Sequence, residues 1–237
     1  MSKDRLGPIV RALVGIDSQY HGVLADIVNR FNSSDAPAWN GLFKKALEQG
    51  LPSEGPKEEP GKQPPFLSVI ATTKLAAIAG KKTKQCFTGD RWYHCDSDFD
   101  GWLPKDQPDA AASDIATLAF AKEWTFAEAA TKILGLGAGT SIQLLGKALI
   151  ENGHTMTLAQ AEELVEAIER GEQTGLRIDG WGNFFFVETG NEDNPVSVGG
   201  VHRDVRDWDA NVDRLGRGYR WSADDCLLVR NLDASKL

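Results

Sequence analysis

Cysteine is scarce in this sequence, with only Cys86, Cys95 and Cys226 among 237 residues. An odd, sparse set excludes a disulfide-stapled scaffold and suits a reducing compartment, so a cytoplasmic protein is expected. Long apolar runs are missing too. Stretches such as Phe184-Phe185-Phe186-Val187 are far too short to span a bilayer, and no apolar run follows Met1-Ser2-Lys3-Asp4-Arg5. Neither a membrane span nor a secretory leader is therefore expected. Positive charge is not in excess: 26 Lys and Arg stand against 34 Asp and Glu, a net charge of −8. That balance disfavours non-specific binding to nucleic acid or anionic lipid. What is present suffices for a core, since 41% of residues are hydrophobic and seven Trp and ten Phe supply large anchors.

The charge is unevenly spread. Residues 68–92 carry Lys74, Lys81, Lys82, Lys84 and Arg91 against Asp90, whereas residues 93–172 carry fourteen acids against five bases. Two solvated faces that attract each other are the expectation.

Periodicity divides the chain into two parts. Residues 1–50 read as three amphipathic helices, with apolar stripes such as Leu6, Ile9, Val10 and Leu13, and predict a small bundle. Residues 51–65, LPSEGPKEEPGKQPP, hold five prolines and two glycines and predict an extended linker. Residues 66–237 form the body. There Thr125 caps a helix from Phe126, Thr140 or Ser141 caps one running to Asn152, and Thr157 opens a capping box with Gln160. Gln85–Thr88 and Arg91–Cys95 predict a hairpin about Gly89-Asp90. After Gly175 short β-type runs alternate with turn residues, among them Asn183–Glu188, Val196–Val201, Val205–Val212 and Cys226–Arg230. The fold class expected is α+β: an N-terminal three-helix bundle, then helices packed on a mainly antiparallel sheet ending in a C-terminal β-meander.

Several patterns bear on chemistry. Asp96-Ser97-Asp98-Phe99-Asp100-Gly101 matches the first half of a calcium loop, where alternating carboxylates converge on a hard cation. Pro104 and Gln107 stand where later ligands belong, so a capped turn is the plainer reading. His94 and Cys95 are adjacent on a candidate strand and point to opposite faces, which argues against shared zinc ligation. Gly135-Leu136-Gly137-Ala138-Gly139 follows a helix, not a strand, and reads as a loop rather than a dinucleotide fingerprint. Glu162, Glu163, Glu166 and Glu169 line one helix and predict a solvated face.

The succession Trp92-Tyr93-His94-Cys95-Asp96-Ser97-Asp98-Phe99, Trp102-Leu103, Leu158-Ala159-Gln160-Ala161, Leu176-Arg177-Ile178-Asp179-Gly180, Asn183-Phe184-Phe185-Phe186-Val187, Trp221 and Leu228-Val229-Arg230-Asn231 resembles uncharacterised small proteins predicted from genomes of uncultivated bacteria. The resemblance spans roughly residues 66–231. It implies no activity or ligand, only that Asp96–Trp102 is a shared structural turn.

A non-enzymatic protein that binds another protein is the leading expectation, with no cofactor and no membrane partner. Two alternatives stay open. One is a metal-assisted hydrolase in which Asp96, Asp98 and Asp100 hold calcium or magnesium beside His94. The other is nucleic-acid binding through the basic segment 74–91, with Lys81, Lys82, Lys84 and Arg91 as its contacts, although the overall charge disfavours it.

Overall fold

Asn183–Glu188 and Cys226–Arg230 are apolar at nearly every position, and strands of that kind need cover on both faces. The structure, a computed structural model, provides it. Residues 65–204 and 207–234 are described; the bundle expected over residues 1–50 and the linker up to residue 64 lie outside the described residues. In chain order the strands are β1 (Leu67–Leu75), β2 (Trp92–Cys95), β3 (Ser113–Phe120), β4 (Asn183–Glu188), β5 (Val196–Asp204), β6 (Asp207–Arg214) and β7 (Cys226–Arg230). The helices are α1 (Asp98–Trp102), α2 (Phe126–Ile133), α3 (Ile142–Glu151) and α4 (Leu158–Glu169).

The seven strands form one sheet in the order β1-β3-β7-β4-β5-β6-β2. Alternate residues of the central strands feed two separate cores. Phe185, Val187 and Leu228 pack with Leu158, Ala161, Leu164 and Val165 of α4 and with Phe99 of α1. Phe184, Phe186, Leu227 and Val229 pack with Phe126, Ala129 and Ala130 of α2 and Leu145 and Leu149 of α3. The period of two along a strand thus puts one helical layer on each side of the sheet.

Two features of the expected architecture are corrected. The sheet is mixed: four of its six pairings are antiparallel, but β4 pairs with β7 and β6 with β2 in parallel. The C-terminal strands are not a simple meander either: β4, β5 and β6 follow one another, but β7 crosses back and inserts between β3 and β4. The described fold is a sheet-based α+β body. The expected Gly89-Asp90 hairpin does not form. Thr83–Gln85 forms a 3₁₀ turn, and β2 pairs with β6 instead.

The caps fall where the sequence places them. Thr125, Ser141 and Thr157 each accept the N–H of the residue three positions on, an arrangement worth about 1 kcal/mol per helix. Gln160, fully buried, returns the capping box to Thr157 and also donates to Ser113 Oγ at 3.0 Å. Among the described residues, β1 and β2 are the sheet edges. β1 carries a register shift between Val69 and Ala71 that leaves Ile70 outside the pairing and more than half exposed.

Candidate functional site

The acidic loop is spread along a turn. Asp96 Oδ1 accepts the Asp98 N–H at 2.9 Å and closes the turn that leads into α1. Asp98 and Asp100 are exposed in the first turn of that helix, where its N-terminal dipole favours them. His94 and Cys95 are exposed on β2. Among the described residues no group of three or more His, Cys, Asp or Glu side chains is gathered as a metal site would need.

The basic segment separates into two pairs. Lys81 forms an ion pair with Glu162 of α4, whose other oxygen accepts the Phe87 N–H at 3.2 Å. Arg91 lies 3.5 Å from Glu166 on the same helix. The basic and acidic stretches therefore do attract each other, across a face that is only partly solvated. Glu162 is buried, and Glu169 accepts the Trp208 indole N–H at 3.1 Å. Lys82 and Lys84 stay exposed and meet Lys105, Asp100 and Asp106 around a shallow concavity of about 400 Å³.

The thiols are poor nucleophiles. Burial pushes Cys86 and Cys226 up to about 12. Cys95 is exposed as a residue, yet partial burial of its sulfur, followed by Asp96 and Asp100, pushes it up to about 11. All three are protonated near neutrality, and it is the thiolate that reacts.

A larger concavity lies elsewhere, on the α2–α3 side of the sheet, and encloses about 700 Å³. Its apolar lining comes from Phe66 ahead of β1, Ala121 after β3, Ala127 of α2, Ala138 of the glycine loop and Leu145 of α3. The glycine loop shapes one end. α2 stops where Gly135 takes a left-handed φ of 62° and Leu136 N–H reaches back to Thr131 O at 2.9 Å. Gly139, at φ 92°, then turns the chain into the Ser141 cap of α3.

Three charged side chains line this groove: Lys122, Lys132 and Glu128. Glu128 is already engaged, since one oxygen accepts the Thr125 N–H at 2.9 Å and the other lies 3.3 Å from Arg220. Lys122 Nζ sits 5.7 Å from the Phe66 ring centroid. Neither Lys122 nor Lys132 has a carboxylate within ion-pair distance among the described residues. The result is an apolar groove with two uncompensated ammonium groups, a size and composition that suit ligand binding.

No protein-family model, curated protein or solved structure matches the chain. The site therefore rests on its own geometry. None of its charged residues was singled out by sequence reasoning. The glycine loop was visible as a loop, but Lys122 and Lys132 lie on separate elements and share no periodicity. Among the described residues no helix is long and apolar enough to cross a membrane.

Proposed function

We propose that this chain is a binding protein whose α2–α3 groove takes an acidic segment of a partner protein, anchored by apolar side chains. The observation that carries this reading is the charge pattern of the groove: two lysines without a carboxylate partner among the described residues, beside a glutamate already committed to Thr125 and Arg220. Apolar surface supplies the driving force and the rim charges select the partner and speed its encounter. Leu136 and Leu144, on the glycine loop and on α3, are exposed apolar residues of the elements that flank the groove. The groove is favoured over strand addition because β1 is bulged at Ile70 and β2 is only four residues long. Three unpaired thiols suit a reducing, cytoplasmic setting.

Selection of a random peptide display library on the full-length protein tests the reading. Enriched peptides should combine apolar anchors with Asp or Glu, and a Lys122→Glu/Lys132→Glu double variant should lose them. Enrichment of peptides without acids, or binding unchanged in the double variant, would overturn it.

A further inference from the structure

The helical cover on the α2–α3 side does not reach the far halves of β5 and β6. Val196 and Val198 of β5 are packed in that core, but further along the same face come Gly200 and His202, opposite Asn211 and Asp209 of β6. A second, smaller cleft of about 220 Å³ opens there, sharing no lining residue with the groove.

Its construction depends on absent side chains. A Cβ on Gly200 would stand 2.5 Å from Asn211 Oδ1 and 3.0 Å from the Phe184 ring, so glycine is what lets the amide lie across β5. A Cβ on Gly182 would meet the same ring at 2.8 Å. Phe184 and Trp221, with ring centroids 4.3 Å apart, form an aromatic wall. Asp225 braces that wall: its two oxygens accept the N–H groups of Gly182 at 2.8 Å and of Ser222, next to Trp221, at 3.0 Å. His202 Nε2 lies 3.0 Å from Asp209 Oδ2.

Two polar groups lining the cleft are buried with no hydrogen-bond partner among the described residues, the Asn211 Oδ1 acceptor and the Trp221 Nε1–H donor. Asp209, paired with His202, stands behind the cleft and does not line it. Buried polar atoms are nearly always paired, and leaving one unpaired costs about 1–3 kcal/mol. Ligand chemistry follows from what these atoms require. A cation has no acceptor for the indole N–H. An anion has no donor for the amide oxygen and would face Asp225. A hydroxyl both donates and accepts, so a compound with several hydroxyls answers both. Aromatic surface continues outward, since exposed Tyr219 stands edge-on to Trp221 at 4.9 Å and exposed Trp181 lies between the lining glycines Gly180 and Gly182.

We infer that this cleft binds a neutral polyhydroxylated ligand of the size of one sugar ring, held by Asn211 and the Trp221 indole N–H against the Phe184–Trp221 wall. Saturation-transfer NMR on the full-length protein tests it with glucose, galactose, mannose and inositol at millimolar concentration, and with phosphate and ethylammonium titrated by chemical shift. At least one polyol should receive saturation. Trp221→Phe, which keeps an aromatic ring in the wall and removes the N–H, and Asn211→Ala should each weaken that binding about tenfold, with the melting curve showing that both variants fold. Saturation of no polyol, a response to phosphate or ethylammonium alone, or polyol binding unchanged in both variants would overturn the inference. Loss of peptide binding at the groove would leave it standing.

Discussion

Glu162 and Lys81, 81 residues apart in sequence, form an ion pair at the face of α4, and the same carboxylate receives the backbone N–H of Phe87. Phe87 holds a left-handed φ of 55° while nearly fully buried, a conformation that costs a bulky residue of order 1 kcal/mol or more. Its ring offsets that cost by packing against Trp92 at 4.7 Å and Phe99 at 5.4 Å. One buried carboxylate thus ties the 3₁₀ turn and the chain entering β2 to α4.

Glu162→Ala should destabilise the body by about 2–3 kcal/mol, because it strands a buried N–H and a half-buried ammonium together. Glu162→Gln keeps an acceptor for Phe87 and should cost less. Urea unfolding checks this: the midpoint falls in that order while the slope stays constant.

Two glycines with left-handed backbone should respond differently to alanine. At Gly135, φ 62°, a new Cβ meets nothing within 4 Å, so only the backbone penalty of about 1 kcal/mol applies. At Gly175, φ 71°, it would meet Ala71 Cβ at 2.6 Å and Thr117 Oγ1 at 2.7 Å. Gly175→Ala should cost at least about 2 kcal/mol more through overpacking. Melting temperatures of the two variants, compared side by side, decide it.

Removing the α4 cap should cost unequal amounts from its two ends. Thr157→Ala loses one cap bond, about 1 kcal/mol. Gln160→Ala loses the reciprocal bond to Thr157 N–H, the bond to Ser113 and a fully buried side chain, and should cost about 2–4 kcal/mol. Chemical denaturation of each variant measures the difference.

Alkaline pH should weaken the fold through its buried thiols. The folded-state values of Cys86 and Cys226 lie at about 12, above the ordinary thiol value of 9.0. Between those limits the unfolded chain releases protons that the folded chain keeps, so stability is full below pH 9 and falls as pH rises toward 12. Cys226→Ala should flatten the decline in urea midpoint measured from pH 8 to pH 11. An equally steep decline would show that other groups cause it.

Arg220→Ala should weaken acidic-peptide binding at the groove several-fold without touching either lysine. It releases Glu128 Oε1, whose charge then opposes the ligand within the same groove. Calorimetry with a selected peptide reads the change.

Local chemistry by itself determined a good part of this protein. Thr125, Ser141 and Thr157 announced three helix starts because a side-chain cap acts within three residues. Asn183–Glu188 and Cys226–Arg230 appeared as strands at their full observed lengths because β-type apolar runs between turn residues are local signals too. Only the tertiary structure decided which strands are neighbours. The parallel pairings β4–β7 and β6–β2 join segments far apart in the chain, and no spacing within either segment encodes a partner. The same reason explains the missing hairpin and the buried Glu162: the Phe87 N–H is claimed by a carboxylate 75 residues away. Both sites have this character. Lys122 and Lys132 gain meaning only beside Phe66 and a committed Glu128, and Asn211 only across Gly200 from Trp221. Those arrangements come from packing, which sets side chains from separate elements against one another and leaves some charges and polar atoms without an answer.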